Sequence, residues 1–233
     1  MGGKPIEPNI RSLTDYMTTG GYTDSATILD VFETPFDTKP EEFLKFAEDD
    51  LRIGESKGQY NSLSNVKRAI DCQMDSILLR FCLYEISKSE KWNFPKKIDV
   101  LNKLGIISPR ILQKINAKRN SLEHEYKKPT REDVEDAIDV ATLFVHYTNK
   151  FLFNTPTELE ISKEDEDDEF YLKVELKTNE RKMKIRCNKI EGHSSSDKVL
   201  WNIELLSNSE EFHEYLKWFL TSSEKHSSDN NEK

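Results

Sequence analysis

The sequence has few of the features that mark several large classes of protein. Its 233 residues include only 3 cysteines and no CxxC pair, so neither a disulfide framework nor a cysteine-rich zinc site is expected. No apolar run approaches the roughly 20 residues that cross a bilayer. The first ten residues, MGGKPIEPNI, lack the apolar core of a secretory signal. We therefore expect reduced thiols, no membrane contact and a cytoplasmic location.

Motifs for several common chemistries are also lacking. The sequence contains neither a glycine-rich phosphate loop nor the serine turn of α/β-hydrolases. The acidic run KEDEDDE, residues 163–169, lacks the glycine and spacing of a calcium loop, and we interpret it as a solvated turn. Neither a cofactor nor a metal site is expected. The formal net charge of -9 disfavours a surface coated with nucleic acid, so any RNA contact must be focal.

Helical periodicity dominates residues 39–153. Pro40, followed by two glutamates, is typical of a helix start. The clearest amphipathic pattern follows it, with apolar residues at steps of three and four: Leu63, Val66, Ile70, Met74, Ile77, Phe81 and Tyr84. These spacings predict successive helices that pack their apolar faces into one core.

The last two predicted helices of this region meet at a proline. Ser108 and Pro109 favour the start of the first of them, which must end before Pro129 because proline disfavours helical backbone in the preceding residue. Thr130, with Asp133 three residues on, then caps the second helix, which runs to about residue 151. That helix is predicted to bury four residues: Val134, Ile138, Ala141 and Val145.

Beyond Pro156 the apolar period falls from 3.6 to 2, which is typical of antiparallel strands. The alternating runs are Thr157, Leu159, Ile161; Leu172, Val174, Leu176; Met183, Ile185, Cys187; and Val199, Trp201, Ile203, Leu205. The stretch SEEFHEYLKWFL then returns to helical spacing and predicts a helix that buries Phe212, Tyr215, Leu216 and Phe219.

One strand face carries three cations, Lys182, Lys184 and Arg186. These cations could contact RNA, but ion pairs with glutamates on neighbouring strands are the simpler expectation. The glutamates available for such pairs are Glu158, Glu160 and Glu175.

The architecture expected from these patterns is mainly α. A helical bundle, residues 39–153, is followed by a small α+β appendage, residues 157–221, made of an antiparallel sheet and one helix. Residues 1–38 contain glycine and proline too often for a long regular element and are expected to be irregular. The polar tail, residues 222–233, is expected to be disordered. A fragment ending near Phe153 should then fold alone as a helical protein.

The run RNSLEHEY, residues 119–126, raises the sharpest functional question. In a helix Arg119 interrupts an apolar stripe, and an arginine that points toward a core needs a carboxylate or a phosphate beside it. The simpler interpretation is an ion pair with Glu123, one turn on, with His124 at the helix end where a protonated imidazole is favoured. In the alternative, Arg119 holds a phosphodiester and His124 moves a proton.

The interpretation in which Arg119 and His124 act on one phosphodiester requires a particular geometry. His124 lies about 140° around an ideal helix from Arg119, so one helix does not aim both side chains at a single point. A catalytic arrangement therefore requires a frayed helix end or a second copy of the motif across a dimer interface.

RNSLEHEY has the form RxxxxHxY and resembles the signature of the HEPN family. Upstream, FLKFAEDDLRIG and LSNVKRAIDCQMDSIL resemble that family's first two helices, so the resemblance covers roughly residues 39–152. It implies a HEPN-like helical bundle that forms a homodimer and brings two motifs into one cleft. It also implies that Arg119 binds the scissile phosphate, that His124 is the general acid/base, and that Asn120 orients the phosphate or the histidine.

The activity that the resemblance implies is a metal-independent endoribonuclease, a toxin or antiviral defence effector. RNA would be cleaved by attack of its 2′-OH, leaving a cyclic phosphate and a 5′-OH. Tyr126 matches a tyrosine that, in one branch of the family, is modified with AMP by a nucleotidyltransferase, so an inhibitor or a nucleotidyltransferase is the implied partner. A tyrosine at a helix end also commonly packs its ring and exposes its hydroxyl.

Two alternatives stay open. The same helices could form a non-catalytic HEPN module that binds a nucleotide, RNA or a protein partner. The chain could instead be a helical adaptor unrelated to the family. The predicted sheet departs from the short toxins of the AMP-modified branch, which resemble only the helical part.

Overall fold

The computed structural model describes residues 7–18, 22–54, 56–107, 110, 128–165, 168–190 and 197–229. The chain divides into two compact units of comparable size. The sheet unit comprises Met1–Val31, Phe81–Leu83 and Phe153–Lys233, and the helical unit comprises Phe32–Arg80 and Tyr84–Leu152.

The described elements follow one another along the chain in this order. They are α1 (Ile10–Thr18), β1 (Tyr22–Ile28), α2 (Pro40–Arg52), α3 (Ser56–Arg80), α4 (Tyr84–Ser89), α5 (Phe94–Lys103), α6 (Arg131–Phe153), β2 (Glu158–Asp165), β3 (Asp168–Lys177), a 3-10 turn (Thr178–Glu180), β4 (Lys182–Ile190), β5 (Asp197–Leu206) and α7 (Glu210–Asp229).

Helix starts in the helical unit follow their sequence signals. Pro40 begins α2, as predicted, and Asn93 caps α5 by accepting a hydrogen bond from the Lys96 N–H at 3.0 Å. The predicted cap of α6 is confirmed, because the side chains of Thr130 and Asp133 each accept the other's backbone N–H at 3.1 Å. The four residues that α6 was predicted to bury are all buried: Val134, Ile138, Ala141 and Val145.

The core of the helical unit centres on α3. Val66, Ile70, Met74 and Ile77 are buried, as the apolar pattern predicted. A second stripe along α3 is buried as well and is mostly polar: Ser62, Asn65, Ala69, Gln73, Ser76 and Arg80. Because both stripes are covered, α3 is a central helix and not a surface helix with one apolar face.

The sheet of the other unit has five antiparallel strands in the order β1-β2-β3-β4-β5. One face is apolar and buried, with residues from β2, β3 and β4: Leu159, Ile161, Leu172, Val174, Leu176, Met183, Ile185 and Cys187. Helix α7 contacts β5 and α1 and buries the four residues predicted for it, Phe212, Tyr215, Leu216 and Phe219. The opposite face carries the charged residues of the same strands.

The prediction for Val199 is wrong. A register shift between Cys187 and Asn188 in β4 leaves an extra residue in β5, so Val199 pairs with Asn188 while Trp201 pairs with Cys187. The bulge turns Val199 away from the apolar face, and its side chain is 55% exposed.

The expected fold class, a mainly α HEPN-like bundle with a small α+β appendage, is also wrong. The molecule is α+β, because the sheet has a fifth strand and its unit is comparable in size to the helical unit. The extra strand is β1, which pairs with β2 from Tyr22 to Ile28. Two short elements, α1 and β1, thus lie in the segment 1–38 that was expected to be irregular, while residues 29–38 contain neither helix nor strand, as expected.

The tail that was expected to be disordered from residue 222 is helical to Asp229. Ser222 and Ser223 are buried, and the Ser223 hydroxyl donates to the Phe219 carbonyl at 2.9 Å. A serine that satisfies its hydroxyl on the preceding turn can remain in a helix, which composition alone does not reveal. Among the helices described, none combines the length and apolar character needed to cross a membrane.

Candidate functional site

The four residues assigned to the site by the motif lie outside the described residues. They are Arg119, Asn120, His124 and Tyr126. Their sequence positions fall within the range of the helical unit, and the described chain resumes at Lys128, two residues after Tyr126. The structure describes the chain from Lys128 onward and the helices α3 and α6 of the same unit.

The described chain that follows the motif segment leads directly into α6. Pro129 is buried, and Thr130 begins α6 with a reciprocal pair of side-chain caps to Asp133. The Thr130 carbonyl also accepts the Val134 N–H at 3.3 Å. The chain that leaves the motif therefore enters a helix whose first turn is fixed by both side-chain and backbone hydrogen bonds.

A buried amide connects α3 to α6. Gln73, 1% exposed, donates from Nε2 to Thr148 Oγ1 and to Asn149 Oδ1, each at 2.9 Å. Asn149 in turn donates to the Glu41 carboxylate of α2 at 3.2 Å. Because the buried Gln73 amide is satisfied by partners on α6, it helps to align α3 with α6, whereas the bond from Asn149 to Glu41 lies at the surface.

A titratable cluster lies farther along α3. Lys97 of α5 places its Nζ 2.5 Å from Asp75 Oδ1, and both side chains are largely buried. Burial, and then the Asp75 charge, raise the pKa of the Tyr84 hydroxyl. Burial, followed by the same charge, raises the pKa of the Cys72 thiol to about 11. Both groups are protonated near neutral pH, so Cys72 is not an activated nucleophile.

Arg80 closes α3 with a buried guanidinium. Its side chain is 1% exposed, and its Cζ lies 5.3 Å from the centroid of the Phe32 ring. A cation over an aromatic face at this distance is stabilised by the ring's quadrupole. The apolar pattern of α3 did not predict that Arg80 is buried, because an arginine at a helix end is ordinarily exposed.

Ion pairs cover the charged face of the sheet. Lys182 contacts Glu180 at 2.7 Å and Glu204 at 3.1 Å, and Lys184 lies 3.8 Å from each of the same two carboxylates. Pairing with glutamates was expected, but the expected partners were Glu158, Glu160 and Glu175. Arg186 is exposed and has no ion pair within the described part of the chain.

Two of the expected glutamates, Glu158 and Glu160, form ion pairs with Lys173 instead. Its Nζ lies 2.7 Å from Glu158 Oε2 and 2.7 Å from Glu160 Oε1. Hydrogen bonds to Glu158 and Glu160 raise the pKa of Lys173, and the hydrogen bond from Lys173 lowers the pKa of Glu160. Within the described residues the lysines at the centre of this face are thus paired with carboxylates, and Arg186 is the exposed cation that remains on it.

One basic surface was not singled out by the sequence patterns. It spans the end of α4, the connection to α5 and the first turn of α5, residues 88–96, and we term it the lysine–tryptophan turn. Lys88, Lys91 and Lys96 are exposed on it, and Trp92 is half-buried between them in sequence. The sequence did contain a signal for this surface, because an aromatic residue among lysines is typical of nucleic-acid contacts. The signal is weak, because the run is short and contains a glutamate.

The described residues contain no group of three or more His, Cys, Asp or Glu side chains that could hold a metal ion. Comparison of the chain with models of protein families, with curated proteins and with solved structures found no match.

Proposed function

We propose that the chain is an endoribonuclease of the HEPN type, whose Arg119 and His124 cleave RNA without a metal ion. One observation carries the proposal: the run RNSLEHEY stands three residues before Pro129, where the segment predicted as a helix must end. The capped start of α6 supports the predicted helix boundary, which the resemblance requires.

The reaction is a transfer within the RNA strand. The 2′-oxygen of one nucleotide attacks the adjacent phosphorus, and the bond from that phosphorus to the 5′-oxygen of the next nucleotide breaks. The 2′-hydroxyl gives up its proton and the 5′-oxygen gains one, which leaves a cyclic phosphate and a 5′-OH. In this scheme His124 transfers the proton, the Arg119 guanidinium neutralises the phosphate oxygens, and Asn120 orients the phosphate or the histidine.

The proposed assembly is a homodimer formed through the helical unit. An ideal helix turns Arg119 and His124 about 140° apart, so a second copy of the motif completes the cleft. Light scattering at micromolar concentration should find the dimer. A monomer that retains full activity would reject this assembly.

The proposed setting is the cytoplasm, where the enzyme acts as a toxin or antiviral defence effector. Regulation acts at Tyr126, either through modification of its hydroxyl by a nucleotidyltransferase or through an inhibitor that covers the motif. Both mechanisms would silence the site without changing the fold.

The decisive experiment replaces one histidine. His124→Ala should reduce RNA cleavage by about 100- to 10,000-fold, the usual cost of losing a general acid/base. His146→Ala is the matched control, because His146 is exposed on α6 and belongs to no part of the proposed chemistry. Cleavage should persist in excess EDTA and stop when the substrate's 2′-hydroxyls are methylated. Equal cleavage by the two variants would reject the ribonuclease and favour a non-catalytic module that binds a nucleotide, RNA or a protein partner.

A further inference from the structure

The lysine–tryptophan turn concentrates positive charge in an acidic chain. Between Ser87 and Lys97 there are four lysines and one glutamate, whereas the whole chain has a net charge of -9. Lys97 is engaged by Asp75, which leaves Lys88, Lys91 and Lys96 as the exposed cations. A focal basic site of this kind is what an acidic protein needs in order to hold a polyanion.

The backbone of the turn holds one lysine in an unusual conformation. Lys91 has a φ of 52° and follows the end of α4. The Trp92 N–H donates to the Ser87 carbonyl at 2.8 Å, and the Lys91 N–H donates to the Lys88 carbonyl at 3.2 Å. These bonds resemble a glycine-type helix ending, in which the left-handed residue is usually glycine. The chain therefore has an exposed lysine where glycine would be more stable.

Two aromatic rings lie among these cations. The Trp92 indole N–H donates to Glu90 Oε2 at 2.7 Å, and Lys96 Nζ lies 5.7 Å from the Trp92 ring centroid. Lys88 Nζ lies 5.8 Å from the centroid of Tyr84. The Glu90 bond orients the edge of the indole, and Lys96 lies over one face of its ring.

The lysines of the turn differ from those of the sheet face. Lys173 and Lys182 each contact two carboxylates. Within the described ranges, by contrast, Lys88, Lys91 and Lys96 have no carboxylate at ion-pair distance. Their charges are therefore available to a ligand, whereas the charges of Lys173 and Lys182 are already neutralised.

We propose that the lysine–tryptophan turn is the surface through which this protein holds single-stranded RNA, an inference that rests on the ribonuclease proposed above. The three lysines neutralise phosphates along the strand, and the Trp92 ring stacks on one base. Single-stranded RNA fits better than a duplex, because a base must be unpaired before it can stack on a side chain. Recognition is sequence-tolerant, since every base presents a flat face.

The test measures binding separately from cleavage. A fluorescent single-stranded RNA with 2′-methoxy groups is titrated with the full chain at several salt concentrations, and its anisotropy is recorded. Lys88→Gln, Lys91→Gln and Lys96→Gln combined should weaken binding on the order of tenfold at low salt. The combined change should also reduce the slope of log K against log salt by about 2, from roughly 0.7 per lost phosphate contact.

A charge-matched control uses three exposed lysines elsewhere, Lys45, Lys57 and Lys217, each changed to glutamine. It should bind RNA as the wild type does. Equal weakening by both triple variants would overturn the proposal, as would a wild-type chain that binds no RNA at low salt. A labelled oligoglutamate bound as tightly as RNA would also overturn it, and would identify an acidic protein as the ligand.

Trp92 is tested by two substitutions. Trp92→Leu should weaken binding about fivefold or more, while Trp92→Phe should retain most of the affinity because it retains a ring. Both variants are first compared with wild type by circular dichroism, since Trp92 is half-buried. Equal binding by folded Trp92→Leu and wild type would reject the stacking role.

The two proposals fail in different ways. If wild type binds RNA without cleaving it and only the Lys88, Lys91 and Lys96 variant loses binding, this surface stands and the ribonuclease falls. If His124→Ala abolishes cleavage while the same triple variant binds and cleaves normally, the ribonuclease stands and this surface is wrong.

Discussion

At the scale of single residues, Gly58 shows how packing can reverse a local preference. Gly58 is buried in the first turn of α3, and a Cβ built on it would overlap the carbonyl oxygen of Asp50 in α2. Nothing in the spacing of the residues around this glycine predicted the close approach of two helices. The absent side chain is what lets α2 and α3 come together there.

Gly58→Ala should therefore destabilise the protein, although alanine is the better helix former by about 1 kcal/mol. We expect a loss of about 1–3 kcal/mol in the free energy of unfolding, the usual cost of overpacking. Urea denaturation followed by circular dichroism measures it. Lys57→Ala, at an exposed neighbouring position, should change stability by less than about 0.5 kcal/mol. A stabilised Gly58→Ala protein would show that α2 moves freely away from α3.

The sequence supplied the candidate residues and one helix cap, but it did not predict the buried polar contacts of the helical unit. Spacing suggested Arg119 and His124 as candidates, which lie outside the described residues, whereas the cap at Thr130 was predicted from residue type and position and is present. The partners of Gln73 and the buried setting of Arg80 were not predictable, because polar residues at helical spacing ordinarily indicate a solvated face. Only the arrangement of neighbouring helices decides whether such a stripe is covered.

At the scale of elements, regular apolar spacing predicted strands correctly, whereas glycines and prolines did not reliably mark irregular chain. Alternation predicted β2 to β5, since residues on one face of a strand share a core. The strand β1 was missed because YTDSATI has few apolar residues and follows two glycines. Its place in the sheet comes from pairing with β2, a contact between segments far apart in sequence.

The charged face of the sheet should give the protein an acid-sensitive term in its stability. The pKa of Glu160 is lowered in the folded chain, mainly by its hydrogen bond from Lys173, so folding favours the ionised carboxylate. This contribution is present above the ordinary carboxyl pKa of 4.5 and is lost as the pH falls through the lower folded value. Stability should thus decline as the pH falls from 4.5 through the lower pKa of the folded chain.

Lys173→Met should reduce this pH dependence, because it removes the hydrogen bond that lowers the pKa of Glu160. Urea unfolding at neutral and acidic pH measures the difference between the two conditions. Lys198→Met, at an exposed lysine of β5, should leave the wild-type pH dependence unchanged. If Lys173→Met loses as much stability on acidification as wild type does, the ion pair is not the source of the effect.

At the scale of the whole molecule, the sheet unit is assembled from three separate stretches of chain. Phe81, Cys82 and Leu83 belong to it although they stand between α3 and α4 of the helical unit, and all three are buried. Cys82 is held at a φ of 66°, outside the usual range for its residue type. The apolar spacing did not predict this insertion, because Phe81 continues the pattern of α3.

A chain that ends at Phe153 should accordingly be unstable, in contrast to the independent folding that the change of period suggested. It would retain β1 without β2, its partner in the sheet, and Phe81 and Leu83 without the rest of their core. We expect low cooperativity in a thermal melt and increased binding of a hydrophobic dye. The full chain is the reference, and a sharp transition in the fragment with no dye binding would contradict the expectation.

The pairing of β1 with β2 also delays completion of the sheet while the chain is being synthesised. Ile28 must pair with Glu158, so 130 residues separate the two ends of that contact. At about 5–20 residues per second, the ribosome takes roughly 7 to 26 s to make the intervening chain. During this interval β1 has been translated but has no strand beside it. The nascent protein therefore presents an unpaired edge to chaperones for seconds before its sheet can close.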